Sequence, residues 1–218
     1  MSDHFDIAVI GTGPGGYIAA LKAAQMGAKA AVVEKHHLGG TCLNYGCIPS
    51  KALLASAELI HAIHNAGAMG VHVTGRVEVD WPAIQRRKDK ILRNLRSGIK
   101  GLFHARGITL LQGHGAVTAD GQLHITRPDG EAETITADKT ILAVGSCPAR
   151  IPGWPTDSKR VCTSDEALHW DALPGQLLIV GGGVIGCEFA CMMHEYGVEV
   201  TVVEMLDRLV CFRQARKK

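Results

Sequence analysis

No run of apolar residues in this sequence is long enough to span a bilayer, and its opening, Met1 to Asp6, lacks a basic segment followed by an apolar stretch. The first absence argues against a membrane helix and the second against a secretory signal. Strong charge of either sign is also missing. There are 23 Lys and Arg against 21 Asp and Glu, a net charge of +2, and no Lys/Arg run exceeds three residues. Neither a nucleic-acid nor a membrane partner is expected. Nor is there a cysteine framework: the seven cysteines are odd in number and scattered. A disulfide-stapled secreted fold is therefore excluded, the cytoplasm is the expected compartment, and any closely spaced pair reads as redox or metal chemistry. The remaining composition, 46% hydrophobic and 20% charged in 218 residues, suits one large or two modest domains.

What the chain does have is a strand running into glycines, twice. Asp6–Ile10 is a short β-branched run that meets Gly11, Gly13, Gly15 and Gly16. An alanine-rich helical stretch follows to about Met26, and Ala30–Glu34 reads as a second strand. Leu177–Val180 repeats the pattern with Gly181, Gly182, Gly183 and Gly186, a helix to Tyr196, and a strand over Glu199–Glu204. Gly16 and Glu34, and Gly186 and Glu204, are both eighteen residues apart. Each copy fits G-x-G-x-x-G in its strand-turn-helix setting. The first glycine permits the turn, the second lets backbone approach a pyrophosphate, and the third allows close helix–strand packing. Glu34 and Glu204 stand where a carboxylate can accept from ribose hydroxyls, and an acid at Glu204 favours NAD over NADP.

Between the two copies, Pro49 to about Ala66 has helical periodicity, with Leu53, Leu54, Ala57 and Ile60 on one side. A second long helix starts at Asp80-Trp81-Pro82, with Ile84, Ile91, Leu95, Ile99 and Leu102 recurring, and ends by Gly107. Thr109–Gln112, Ala116–Thr118, Gln122–Thr126 and Glu133–Thr136 read as an antiparallel meander turning at Asp120-Gly121 and Asp129-Gly130, followed by a buried strand Thr140–Val144. A linker with Pro148, Pro152, Gly153 and Pro155 precedes Thr163-Ser164-Asp165-Glu166, a capping box. The fold class is α/β, with two Rossmann-like dinucleotide-binding units.

The segment Gly39-Gly40-Thr41-Cys42-Leu43-Asn44-Tyr45-Gly46-Cys47-Ile48-Pro49-Ser50-Lys51 holds two thiols in a glycine-bearing turn at a helix start. That spacing lets Cys42 and Cys47 meet as a small disulfide, and the helix start with Lys51 nearby favours a thiolate at Cys47. Zinc would need two more ligands, and only His36 and His37 are close in sequence, so no metal site is expected.

This segment, both glycine loops and Ala143-Val144-Gly145-Ser146 resemble the pyridine nucleotide-disulfide oxidoreductases over about residues 5–207. Leu43, Ile48 and Ser50 favour their dihydrolipoamide dehydrogenase branch; Tyr45 and Val144 depart from its usual residues. The resemblance implies FAD at Gly11, Gly13, Gly16, Glu34 and Lys35, with Gly40, Thr41, Lys51, Gly115, Val144, Gly145 and Ser146 also touching it. It implies an NAD side of Gly181, Gly182, Gly183, Gly186, Glu188 and Glu204, with Glu188 pairing Lys51 near the flavin. Cys42 would exchange with a substrate dithiol, and Cys47 would pass electrons to the flavin. The implied partners are the lipoyl group of a 2-oxoacid dehydrogenase complex or glycine cleavage system, and a second subunit of a homodimer. A mercuric or glutathione-type reductase and a non-catalytic nucleotide-binding fragment are the alternatives.

The resemblance implies an FAD domain over 1–148 that lacks its C-terminal return segment, a partial NAD domain over 149–207, and an atypical basic tail over 208–218. The interface domain and its acid-base His-Glu pair would follow in the family, so truncation and an inactive isolated chain are expected. Cys187 and Cys191 read as buried small residues, and Cys147, Cys162 and Cys211 have no partner at useful spacing. His61 and His64 read as solvated or capped histidines, and Arg86-Arg87-Lys88 as a solvent-facing run.

Overall fold

A computed structural model of the chain describes residues 3–155 and 160–210; Cys211 and the tail beyond it lie outside the described residues. The elements in order are β1 (His4–Ile10), α1 (Pro14–Gln25), β2 (Ala30–Glu34), α2 (Gly40–Tyr45), α3 (Cys47–Asn65), a 3-10 turn (Ala66–Met69), α4 (Trp81–Ala105), β3 (Thr109–Gln112), β4 (His114–Val117), β5 (Leu123–Thr126), β6 (Ala132–Leu142), α5 (Ser164–Ala167), β7 (Gln176–Val180), α6 (Val184–Glu195) and β8 (Glu199–Val203). Two compact units emerge, one of Met1–Ile48 with Lys90–Trp154 and one of Pro49–Asp89 with Pro155–Lys218.

The first unit is built on a six-stranded sheet of order β3-β2-β1-β6-β5-β4. Ile7–Ile10 of β1 and Ala30–Val33 of β2 are wholly apolar, as suits strands covered on both faces. Val9, Ala30 and Val32 point to a core shared with Ala20 and Ala23 of α1 and Leu92, Ile99 and Phe103 of α4. The alternate residues Ala8, Ile10, Ala31 and Val33 point the other way, onto Leu123, Ile125 and Ile135. The period-2 alternation thus fills two cores from one pair of strands.

Three sequence expectations are corrected here. The segments Glu133–Thr136 and Thr140–Val144 are not separate strands but lie largely within one, β6. Its first residues pair antiparallel with β5, as in Ile125↔Glu133, and its remainder runs parallel to β1, as in Ile10↔Leu142. Nothing between the two segments breaks an extended backbone, so the strand changes neighbours without a turn. Thr109–Gln112 likewise leaves the expected meander and pairs parallel with β2. The apolar stripe of α4 is also rotated from its expected setting. Leu92, Ile99 and Phe103 are buried, whereas Leu95 and Leu102 are 41% and 48% exposed.

In the second unit β7 and β8 pair in parallel, Leu177↔Val200 to Val180↔Val203. The core joins Leu53, Ala57 and Ile60 of α3 with Trp81, Leu168 and α6 residues Phe189, Met192 and Met193. Trp81 meets Tyr196 edge-on, with ring centroids 5.3 Å apart, and the buried Tyr196 hydroxyl donates to the Leu53 carbonyl at 2.6 Å. The expected capping box is present: Thr163 accepts from the Asp165 amide while its own amide donates to Glu166 at 2.7 Å. Lys88 contradicts its expected place on a solvent face. It is 1% exposed, and its ammonium donates to the Leu168 carbonyl at 2.8 Å and to Gln85 Oε1 at 2.5 Å. It lies seven residues after buried Trp81 and four after Ile84, both packed on the same core, a spacing that keeps it on that face of the helix. Among the described residues, no helix is long and apolar enough to cross a membrane.

Candidate functional site

The two glycine loops are one piece of geometry used twice, at a constant offset of 170 residues. Gly11 and Gly181 have φ of +99° and +110°, a left-handed region that favours glycine. Their amides donate at 2.8 Å to Val33 and Val203 respectively, which joins each loop to its second strand. A Cβ on Gly16 would fall 1.9 Å from the Gly11 carbonyl oxygen, and one on Gly186 would fall 2.0 Å from that of Gly181. The third glycine is therefore required by packing of the helix onto the loop. A Cβ on Gly13 or Gly183 would meet nothing within 4 Å. Backbone at the second glycine of each motif faces open space at a helix N-terminus, the arrangement that suits a pyrophosphate.

The acids are held in matching ways. Glu34 Oε2 accepts from the Thr12 amide at 2.9 Å and from the Thr12 hydroxyl, and Oε1 accepts from the His36 amide at 2.9 Å. Glu204 Oε2 accepts from the Gly182 amide at 2.7 Å, and Oε1 from the Leu206 amide at 2.9 Å. The Leu206 and Gly182 amides hold the Glu204 carboxyl below its ordinary pKa, because both stabilise the anion. The loops differ in one respect. Thr12 brings a hydroxyl to its acid, whereas Gly182 has none and is covered by Leu209, whose Cδ2 would lie 2.3 Å from a Cβ there. The Gly182 carbonyl also accepts from the Val210 amide at 2.7 Å and from the Cys187 thiol at 3.4 Å.

The dithiol turn rests on the first loop. Gly39 and Gly40 both have positive φ, +94° and +58°, and a Cβ on Gly40 would lie 2.6 Å from Gly13 Cα. Cys42 sits in α2 and is half-buried; Cys47 opens α3 and is exposed. The two stand in near-contact. Asn44 is buried, and its amide nitrogen donates to the Leu38 carbonyl at 3.0 Å and the Gly40 carbonyl at 2.8 Å. Its Oδ1 has no donor among the described residues.

The remaining expected positions are distributed as follows. The Thr41 hydroxyl donates to the Ser146 carbonyl at 3.2 Å, and a Cβ on Gly145 would come within 3.9 Å of that hydroxyl, so these three are together. Gly115 faces Val33 and Ile10, where a Cβ would lie 3.1 Å from Val33 Cγ1. Lys35 is exposed, as is Val144 at 69%. Lys51 and Glu188, both in the second unit, pair at 3.6 Å. Cys191 is exposed rather than buried, since its turn of α6 points away from the core that takes Met192 and Met193. His61 is held by Glu195 at 2.7 Å and by Asn65. Thr12, His36 and Leu206 hold the two acids and Asn44 braces the turn around Gly39, roles that no sequence pattern assigned. Thr12 alone had a signal, its place inside the first glycine motif.

A family profile described as pyridine nucleotide-disulphide oxidoreductase matches residues 5–218. The chain belongs to this family. It is 45% identical over 213 residues to dihydrolipoyl dehydrogenase of Chlamydia muridarum, which covers 96% of this chain and 45% of that protein. To the dihydrolipoyl dehydrogenase of Bacillus subtilis it is 43% identical over 218 residues, covering 96% and 46%. The crystal structure of LpdA from Mycobacterium tuberculosis superposes with a TM-score of 0.88 at 29% identity, over 98% of this chain and 47% of that one. The chain spans about half the length of the curated relatives it matches. Membership of a pyridine nucleotide-disulphide oxidoreductase family implies FAD and a nicotinamide dinucleotide. The two glycine loops fit that implication: each leaves backbone open at its second glycine and sets a carboxylate beside it.

Proposed function

We propose that this chain carries the dithiol and dinucleotide sites of an FAD-linked dihydrolipoyl dehydrogenase that uses NAD. The observation that carries the proposal is the seating of the dithiol turn on the first glycine loop, Gly40 against Gly13. A thiol pair at that position lies beside the loop best suited to hold a flavin dinucleotide. Gly11, Gly13 and Gly16 with Glu34 would hold FAD, helped by Lys35, Gly40, Thr41, Gly115, Val144 and Gly145-Ser146; the family resemblance also implies an FAD contact for Lys51. Gly181, Gly182, Gly183, Gly186 and Glu204 would hold NAD, with Glu188 orienting Lys51.

Cys42 is the sulfur that a substrate thiolate attacks. That attack breaks the Cys42–Cys47 bond, forms a mixed disulfide at Cys42, and releases Cys47 as thiolate. The second substrate thiol then displaces Cys42, so the substrate leaves as a disulfide and both electrons remain on the cysteine pair. FAD, when bound, supplies the link from such a two-electron thiol couple to hydride chemistry. The depressed Glu204 carboxyl stays anionic at neutral pH and opposes a 2′-phosphate, which supports NAD over NADP. Leu43, Ile48 and Ser50 support a lipoyl dithiol as the substrate. The lipoyl carrier of a 2-oxoacid dehydrogenase complex and a second subunit are the partners of the same reading.

The test is anaerobic incubation of the oxidised protein with dihydrolipoamide, followed by alkylation and peptide mapping. Cys42 and Cys47 should become alkylated together, and C42S should prevent dihydrolipoamide from changing the labelling at Cys47. Equal labelling before and after dihydrolipoamide would refute the assignment.

A further inference from the structure

Thr12 touches more than the nucleotide loop. It is fully buried, and its hydroxyl donates to Glu34 Oε2 while accepting from the Gly39 amide at 3.3 Å. The same amide also donates to the Thr12 carbonyl at 3.0 Å. Gly39 is the residue before α2, the helix that holds Cys42. On its other side Asn44, itself in α2, donates to the carbonyls of Leu38 and Gly40. The Gly39 turn and α2 are thereby tied into one piece, with Thr12 as its polar link to Glu34.

We infer that Thr12 is a positioning residue that couples nucleotide occupancy at Glu34 to the reactivity of the dithiol. The inference rests on the reading of Glu34 as the ribose-binding acid. A ribose hydroxyl donating to the Glu34 carboxylate draws on the same oxygens that the Thr12 hydroxyl uses. The Thr12 O–H bond to Glu34 weakens, and the Thr12 oxygen becomes a poorer acceptor for Gly39, since linked hydrogen bonds strengthen and weaken together. The Gly39 turn loosens, and Asn44 passes that change to α2 and Cys42. The second loop has Gly182 at the corresponding position, so the device belongs to the first loop alone.

ADP is the probe, because it carries the ribose and phosphates without a redox group. The rate of iodoacetamide labelling at Cys42 is measured on reduced full-length chain by peptide mapping, with and without saturating ADP, and ADP binding is measured separately by equilibrium dialysis. In the wild type ADP should speed labelling about fivefold or more, the lower end of ordinary coupling between sites. T12S, which keeps the hydroxyl, should respond as the wild type does. T12V, which loses it at similar volume, should bind ADP without a change in labelling rate; T12A serves identically if T12V does not fold. A wild type that binds ADP without response, or a T12V that responds like the wild type, overturns the coupling alone. A wild type that does not bind ADP overturns the nucleotide reading of Glu34 and the coupling with it.

Discussion

Lys88 shows how much a single side chain depends on where its helix turns. Its ammonium is buried against the Leu168 carbonyl, Gln85 and His169 Nδ1. Burial pushes its pKa below the ordinary lysine value, with the adjacent Asp89 opposing the shift. The folded state therefore binds this proton less readily than the unfolded chain does. Stability from this group rises as pH climbs from the folded pKa toward the ordinary lysine value, and the penalty is full at lower pH. Denaturant unfolding at a series of pH values from neutral to pH ~10 should show that gain in the wild type and not in K88M. Tyr196 acts with the opposite sign at higher pH. Its hydroxyl is pushed up to about 12, so it stabilises below its ordinary pKa of 10.0 and loses that contribution as pH rises through the folded value.

At the scale of elements, α4 separates apolar residues that carry the fold from those that do not. Leu92 is fully buried under the sheet, and Leu95, one turn on, is 41% exposed. Leu92→Ala should cost about 2–5 kcal/mol through lost burial and a cavity. Leu95→Ala should cost under ~0.5 kcal/mol, as surface substitutions usually do. Urea midpoints of the two variants check the prediction, and a larger loss at Leu95 than at Leu92 would put the helix in the orientation expected from its sequence. The same reasoning applies to β6. Whether its residues face a meander or a parallel neighbour is set by pairing with β5 and β1, not by its own composition.

At the scale of the whole molecule, the repeat allows each proposed nucleotide site to be addressed separately. Gly13 and Gly183 have room for a side chain and negative φ values of −60° and −72°. A valine there should leave the fold standing while filling the space through which a pyrophosphate approaches. A ligand at a hundred times its Kd stabilises by about 2.7 kcal/mol, and one kcal/mol moves Tm by roughly 2–4 °C in a chain of this size. FAD should therefore raise the wild-type Tm, G13V should abolish that rise while keeping the response to NAD, and G183V should do the reverse. Loss of both responses in either variant would sink the assignment of one nucleotide to each loop.

Much of this architecture is legible in one dimension because it depends on local steric rules. A strand that must end in a positive-φ glycine, a helix packed too tightly for a Cβ, and an acid eighteen residues on are sequence-local demands, and both copies meet them. The dithiol is legible for the same reason: two thiols in one short turn need no distant partner to meet. What tertiary structure alone decided are the relations among separate segments. The merging of β6, the inward turn of Lys88 and the exposure of Cys191 all depend on what packs against an element. The seating of the dithiol turn on the first loop is of that kind, and so is the Glu34–Thr12–Gly39 contact. Hydrogen bonding and burial between residues far apart in the chain are settled only when the core closes, and no periodicity in the sequence encodes them.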